Sequence, residues 1–128
     1  MMRLESDLLP LLIAAANGNL AGECPRWSPD AALTVVMAAK GYPGSYDTGE
    51  VINGLEAIDP QQALVFHAGT KKSADRVIAS GGRVLNVCAM ASTISQAQKQ
   101  AYDAVEKIDW PGGFCRRDIG WRAIEGAK

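Results

Sequence analysis

The first pattern along the chain is an apolar stripe at helical spacing near the N-terminus. Within residues 6–17, the residues that fall on one helical face are Leu8, Leu11, Leu12 and Ala15. Ser6 or Asp7 can cap the start of such a helix, and Asn17 followed by Gly18 is a stop signal. The pattern predicts a short amphipathic helix whose leucine face needs a covering surface.

A second, longer stripe occupies residues 93–108. Its apolar members are Ile94, Ala97, Ala101, Val105 and Ile108. Thr93 stands three residues before Gln96, which is the spacing of a capping box at a helix N-terminus. The segment therefore predicts an amphipathic helix that packs on a sheet.

Apolar runs between these two helices predict strands. The run AALTVVMAA, at 31–39, is β-branched at its centre, which favours a strand buried on both faces. Residues 50–55 form either a short strand or a loop, and 63–67, 75–79 and 83–91 are further strands. A glycine-rich turn joins the last two and predicts that they pair as a β-hairpin. Together the elements predict a compact α+β domain with hairpin strands and two flanking helices.

Composition narrows the classes of protein that fit this fold. A chain of 128 residues is the size of one domain. Its net charge of −1 argues against a dedicated nucleic-acid-binding protein, which is normally basic. No apolar run approaches the roughly 18 residues of a membrane span, and no signal-peptide core follows Met1. We therefore expect a cytoplasmic protein with neither a nucleic-acid nor a membrane partner.

The cysteines predict free thiols. Cys24, Cys88 and Cys115 are odd in number and widely spaced, and no C-x-x-C pair occurs. His67 is the one histidine, so a typical zinc site of cysteine and histidine ligands is not expected. Three reduced thiols are typical of a reducing compartment.

Three polar loops follow apolar strands and are candidates for anion binding. They are KGYPGSY (40–46), HAGTKKS (67–73) and CRRDIGWR (115–122). Glycine lets backbone N–H groups approach an anion, and lysine or arginine neutralises its charge. None of the loops matches a Walker A or a G-x-G-x-x-G motif.

Each candidate also has a purely structural interpretation. Gly41 and Gly44 are residues that turns favour, and lysine pairs are usually solvated surface. Arg116 and Arg117 can pair with Asp118 or with nearby carboxylates. His67 has no serine or cysteine nucleophile at motif spacing, so a hydrogen-bonded structural role is favoured over general-base catalysis.

Four segments taken in order resemble one enzyme family. They are VVMAAKGYPGSYDTGEVINGL, VFHAGTK, SGGRVLNV and AYDAVEKIDWPGGFCRRDIGWRA. The chain resembles the C-terminal domain of the phosphoribosylamine–glycine ligase (glycinamide ribonucleotide synthetase) family from about Arg3 to Ala123. The resemblance implies a helical lead-in from an ATP-grasp region in residues 1–20 and the family's C-terminal domain in residues 21–128. It also implies a mixed, mainly antiparallel sheet curled toward a barrel with helices outside, as in the biotin carboxylase C-terminal domain.

The resemblance further implies an activity for a larger enzyme. That enzyme joins glycine to phosphoribosylamine with ATP, in de novo purine synthesis, and uses Mg²⁺ or Mn²⁺. The family's metal-binding Glu and Asn precede the segment that matches Met1, so no catalytic or metal-ligating residue is expected in this chain. ATP-grasp and N-terminal domains are the expected partners, and this fragment alone is expected to be inactive.

Within that enzyme the domain is expected to form one wall of the active-site cleft. The residues expected to face substrate are Lys40, Gly41, Tyr42, Pro43, Gly44, His67, Gly69, Thr70, Lys71, Arg116 and Arg117. In the second loop, Lys71 is the expected phosphate contact and His67 braces the loop. Two alternatives stay open from the residues alone: a stand-alone module that binds a phosphorylated ligand, and a purely structural interaction domain.

Overall fold

The structure, a computed structural model, describes residues 1–126. In chain order its elements are α1 (Leu8–Ala16), β1 (Ala31–Ala39), β2 (Val51–Ile52), a 3-10 turn (Leu55–Ala57), β3 (Leu64–His67), β4 (Thr70–Ser73), β5 (Arg76–Ala79), β6 (Arg83–Ala91), α2 (Ile94–Val105), β7 (Gly113–Cys115) and α3 (Trp121–Glu125). The α+β class is as predicted, and the two predicted helices and the strands at 31–39, 63–67, 75–79 and 83–91 form in the predicted order, whereas β4, β7 and α3 were not predicted. No helix among residues 1–126 is long and apolar enough to cross a membrane.

The larger sheet has the strand order β3-β6-β1-β7, and all its pairings are antiparallel. Side chains alternate between the two faces of a strand. One face is buried against α2 and consists of Leu33, Val35, Met37, Val65, Leu85, Val87 and Ala89. Val35 and Val87 stand opposite each other at its centre, and neither is exposed to solvent.

The other face of this sheet is exposed. Along β1, Thr34 and Val36 are exposed, so the prediction that this strand is buried on both faces is wrong. Phe66, Asn86 and Val36 form one row across three strands. We call the surface formed by Thr34, Val36, Leu64, Phe66 and Asn86 the open face.

Helix α2 covers the buried face, as its sequence stripe predicts. Its buried residues are Ala97, Ala101, Ala104 and Val105. The Thr93 hydroxyl oxygen accepts a hydrogen bond from the Gln96 backbone N–H at 3.2 Å, which is the predicted cap. The Gln96 side chain accepts instead from the Ser92 hydroxyl, at 2.7 Å. The capping box is therefore half formed. The Thr93 side chain caps the Gln96 N–H, but the Gln96 side chain bonds to the Ser92 hydroxyl.

Replacing Thr93 by alanine is expected to lower the free energy of unfolding by about 1 kcal/mol, because the Gln96 N–H loses its acceptor. Urea denaturation followed by circular dichroism measures this loss. The slope of the unfolding free energy against urea concentration is expected to stay unchanged. The control is Ser95→Ala, at an exposed position in the same helical turn that forms no cap. Equal losses in the two variants would contradict the role of the cap.

A smaller sheet has the order β2-β5-β4, again with antiparallel pairings. Strands β4 and β5 form a hairpin around Ala74 and Asp75, and Ala74 has a φ of 52°. The predicted hairpin of 75–79 with 83–91 is wrong, because β5 pairs with β2 and β4 whereas β6 pairs with β1 and β3. Residues 80–82 therefore carry the chain from one sheet to the other.

Two further predictions about the sheets need correction. All pairings within residues 1–126 are antiparallel, so the sheet is not mixed. Within residues 1–126 each sheet keeps two edge strands, β3 and β7 in the larger sheet and β2 and β4 in the smaller, and no strand pairing joins the two sheets into a barrel. The likeness to the biotin carboxylase C-terminal domain stays a prediction.

Helix α1 forms as predicted, but within residues 1–126 none of its side chains is fully buried. The Asp7 carboxylate caps it by accepting from the Leu9 N–H at 3.0 Å. None of its residues is buried, and Leu9, Leu12 and Ile13 are 53–60% exposed. The predicted need for a covering surface is therefore not met within residues 1–126.

Candidate functional site

The first predicted loop is a tight turn after β1. Gly41 has a φ of +94°, a conformation that favours glycine. A Cβ at this position would overlap the Ser45 backbone carbonyl. The Tyr42–Pro43 peptide is cis, and the Tyr42 ring lies 6.2 Å from the Tyr46 ring between centroids. The loop thus holds Tyr42 in one place at the end of the larger sheet.

The second predicted loop is hydrogen-bonded to the segment between β5 and β6. The Gly69 N–H donates to the Arg83 carbonyl at 2.9 Å, and the Gly69 carbonyl accepts from the Ser80 N–H at 2.8 Å. A Cβ on Gly69 would lie 2.6 Å from the Arg83 carbonyl oxygen and 2.8 Å from the Gly81 Cα. Gly69 is therefore required for this close backbone packing, and its N–H is already used within the fold.

The histidine of this loop has a local hydrogen-bond partner. His67 Nδ1 lies 3.1 Å from the Thr70 hydroxyl oxygen, and both residues flank the turn from β3 to β4. This contact supports the bracing role that the sequence suggests for His67. Lys71 follows on β4, where its side chain is exposed.

Residues 80–83 bring the first two loops together. Gly82 packs so closely on the Tyr42 ring that a Cβ would overlap it. The Gly82 carbonyl also accepts from the Ala39 N–H at 2.8 Å, next to the first loop. On its other side the same segment contacts Gly69 in the second loop. The two predicted anion loops thus meet across one glycine-rich connection.

A cavity of about 520 Å³ lies at this meeting point, on the margin of the open face. It is lined by Val36, Tyr42, Ala68, Gly82, Arg83 and Asn86. We call it the loop cavity. Of its residues only Tyr42 is among the predicted site residues. Arg83 and Asn86 were missed, and the one signal for Arg83 was its place directly after the glycine pair 81–82.

Lys40 points to a different cavity on the other side of the first loop. This cavity of about 260 Å³ is lined by Lys40, Asp47, Glu50, Trp110 and Gly112. The Lys40 N–H donates to the Gly112 carbonyl at 2.8 Å, which fixes the backbone there. Its lining has two carboxylates, Asp47 and Glu50, and one ammonium group, Lys40, so its net charge is negative. Binding of an anion is therefore less favourable here than in the loop cavity.

The third predicted loop does not join the first two. Arg116 forms a bidentate pair with Asp118 at 2.6 and 2.9 Å. Arg117 pairs with Glu106, the residue that follows α2, and lies over the Tyr102 ring at 6.0 Å. These are the carboxylate pairings that the structural interpretation of the loop anticipates. Both arginines are already neutralised within residues 1–126.

The Arg116 pair changes the acid–base behaviour of its partner. The hydrogen bond from Arg116 lowers the pKa of the Asp118 carboxyl. Any stability from this pair is therefore fully present above the ordinary carboxyl pKa and is lost as the pH falls through the lowered pKa of Asp118. Both side chains are largely exposed, so solvent screening keeps the contribution small.

The thiols are free, as predicted. Cys24 is exposed, Cys115 is half-buried and Cys88 is buried. Burial raises the pKa of the Cys115 thiol, which the nearby Arg117 charge partly offsets. Among residues 1–126 no three His, Cys, Asp or Glu side chains come together in a group that could hold a metal ion.

Comparison with known proteins gives the family. The model of the family "Phosphoribosylglycinamide synthetase, C domain" matches residues 32–122. The chain is 56% identical over 124 residues to a phosphoribosylamine–glycine ligase of Mesorhizobium japonicum, covering 97% of this chain and 29% of that protein. It is 52% identical to the ligase of Escherichia coli O157:H7, covering 98% of this chain and 29% of that protein. A chloroplastic ligase of Arabidopsis thaliana is 51% identical over 97% of this chain and 24% of its own length.

A solved structure agrees with the sequence match. The crystal structure of phosphoribosylamine–glycine ligase from Thermotoga maritima aligns with a TM-score of 0.70 at 29% identity, covering 87% of this chain and 27% of that one. The chain thus spans less than a third of the length of these relatives. The family match, the sequence identities and the shared fold together show that this chain belongs to the phosphoribosylglycinamide synthetase family and corresponds to its C-terminal domain.

Proposed function

We propose that the chain works as the C-terminal domain of an ATP-dependent ligase that joins glycine to phosphoribosylamine, and that it forms one wall of the active-site cleft. The observation that carries the cleft-wall role is the loop cavity, where Tyr42 of the first loop and Ala68 of the second meet at the margin of the open face. The relatives named above supply the reaction. The proposed substrate-facing loops are Lys40–Gly44 and His67–Lys71. A further proposed part of the wall is Arg116–Arg117.

In this proposal the wall positions the substrate and supplies no catalytic group. The amine of phosphoribosylamine attacks an activated glycine carboxyl, so holding the two reactants in the right geometry can supply much of the rate. In the rest of the ligase, ATP would supply the phosphoryl group that activates this carboxyl, and a divalent cation such as Mg²⁺ would stabilise the negative charge on that group. The proposed location is a reducing compartment such as the cytoplasm, which suits the exposed free thiol of Cys24.

The proposed partners are the ATP-grasp and N-terminal domains of the same enzyme, with residues 1–20 as the lead-in and residues 21–128 as the domain. Helix α1 supports this arrangement, since Leu9, Leu12 and Ile13 are exposed together on a helix with no buried residue. Apolar groups of this size favour burial against another surface. The open face offers a second apolar surface, with Leu64 and Phe66 exposed.

A chimera tests the proposed function. In the E. coli O157:H7 relative, the segment that the chain matches is replaced by this chain, and ADP release is measured with glycine and phosphoribosylamine. We expect ligase activity that depends on both substrates. The 128-residue chain alone is expected to release no ADP. A folded but inactive chimera would contradict the proposal. ADP release by the 128-residue chain alone would contradict it too.

Leu12→Glu tests the covering surface of α1. Because Leu12 is exposed, we expect the free energy of unfolding of the 128-residue chain to change by no more than about 0.5 kcal/mol. In the chimera we expect a clear loss of thermal stability, because a carboxylate would be buried at the domain contact. Differential scanning fluorimetry measures both proteins, with Gln61→Glu, at an exposed turn position, as the control. Equal effects of the two substitutions in the chimera would argue against the contact.

A further inference from the structure

We propose that Arg83 is the residue that binds the phosphate group of a sugar-phosphate substrate, in the loop cavity. The inference deepens the proposed function and rests on it for the identity of the sugar phosphate, namely phosphoribosylamine. The site itself follows from the cavity and its charge. Arg83 is absent from the predicted site residues.

Arg83 is held firmly at its backbone. It is the first residue of β6 and pairs with Ala38 across the sheet. Its carbonyl accepts the hydrogen bond from Gly69 at 2.9 Å. These backbone contacts on both sides fix the direction in which its side chain leaves the sheet.

The charge of Arg83 is not neutralised by a neighbour. The ion pairs within residues 1–126 are Lys99–Asp103, Arg116–Asp118 and Arg117–Glu106, and none includes Arg83. Among the described residues none that lines the loop cavity is a carboxylate, unlike the cavity beside Lys40, which has Asp47 and Glu50. The loop cavity therefore carries one uncompensated positive charge and favours an anion.

The remaining lining suits a phosphorylated small molecule. A guanidinium presents parallel N–H donors that match phosphate oxygens bidentately. Asn86 offers an amide and Tyr42 a hydroxyl for further hydrogen bonds, and Val36 and Ala68 are apolar. A volume of about 520 Å³ exceeds what one phosphate needs and lies in the range of small-molecule sites. The volume and the lining residues together favour a sugar phosphate over a free phosphate ion.

The test is a titration of the 128-residue chain followed by ¹H–¹⁵N NMR, with ribose 5-phosphate, ribose and inorganic phosphate as separate probes. We expect ribose 5-phosphate to shift the amide signals of Tyr42, Ala68, Gly82 and Arg83. Inorganic phosphate is expected to bind more weakly at the same place, and ribose is expected to shift none of these signals. Stronger shifts with inorganic phosphate than with the sugar phosphate would overturn the assignment of the ligand class.

Arg83→Met removes the charge while keeping most of the side-chain volume. The matched control is Arg76→Met, since Arg76 is also exposed, also begins a strand and also lacks an ion pair within residues 1–126. We expect Arg83→Met to weaken ribose 5-phosphate binding about tenfold or more and Arg76→Met to leave it unchanged. Equal weakening in both variants, or an absence of shifts in the wild-type chain, would refute the site. The spectrum of each free variant shows whether its fold is intact.

The chimera separates this inference from the proposed function. If the chimera is active, Arg83→Met is expected to raise the KM for phosphoribosylamine more than it lowers kcat. An active chimera with an unchanged KM would overturn the Arg83 inference and leave the function standing. An inactive chimera together with a positive NMR titration would overturn the function and leave a phosphate site.

Discussion

Replacing Leu85 by alanine is expected to lower the free energy of unfolding by about 2–5 kcal/mol. Leu85 lies on β6 with none of its surface exposed, on the sheet face that α2 covers. Truncation removes its apolar surface from the core and leaves a space that the surrounding strands can fill only in part. Urea denaturation of the 128-residue chain, followed by circular dichroism, measures the loss.

The sheet supplies a matched control in Leu64. It has the same side chain and lies on the neighbouring strand β3, but it points to the open face and is 38% exposed. Leu64→Ala is expected to cost less than about 1 kcal/mol, since little buried surface is lost. If Leu64→Ala costs as much as Leu85→Ala, the open face is packed in the chain and is not available as a cleft wall.

Gly41→Ala is the second substitution with a large expected effect. Gly41 has a φ of +94°, and an added Cβ would overlap the Ser45 backbone carbonyl. The residue at 41 must then move, and with it Tyr42, which lines the loop cavity. We expect a loss of stability above the roughly 1–2 kcal/mol that an L-residue pays for a left-handed backbone.

Gly49→Ala is the control for this effect. Gly49 has the same φ of +94°, but no atom of residues 1–126 lies within 4 Å of the position of its Cβ. Its substitution measures the backbone cost alone, so the difference between the two variants measures the steric overlap, expected to be at least about 1 kcal/mol. In ¹H–¹⁵N NMR spectra, Gly41→Ala should also shift the Gly82 amide signal, because Gly82 packs on the Tyr42 ring. A Gly82 signal that moves equally in both variants would contradict the link between the loops.

The elements that the sequence predicts best are those whose evidence is local. The stripe from Ile94 to Ile108 and the Thr93 cap specify α2 because helix contacts recur every three or four residues. Strand β1 was also predicted, from the β-branched centre of its apolar run. Its exposure was predicted wrongly, because an apolar run does not say whether both faces are covered.

The pairing of β5 and the importance of Arg83 could not be read from local pattern. Residues 80–82 have the composition of a hairpin turn, yet they connect two sheets because Gly69 and Tyr42 pack against them from distant parts of the chain. Arg83 became a candidate only when the fold placed Tyr42 and Asn86 beside it. The predicted loops at 40–46 and 67–73 were found from their composition. Arg83, the residue proposed to neutralise the anion, lies between these loops in space and outside both of them in sequence.

The connection through residues 80–82 also has a mechanical consequence. It is a covalent joint between the two sheets, and the loop cavity lies directly on it. A ligand that contacts Tyr42, Ala68 and Arg83 would bind both predicted loops and this connection at once. It would therefore restrict any movement of the β2-β5-β4 sheet relative to the larger sheet. Addition of ribose 5-phosphate would then slow amide hydrogen exchange in β5, a strand that does not line the loop cavity. The slower exchange would show that the connection between the sheets has become less flexible.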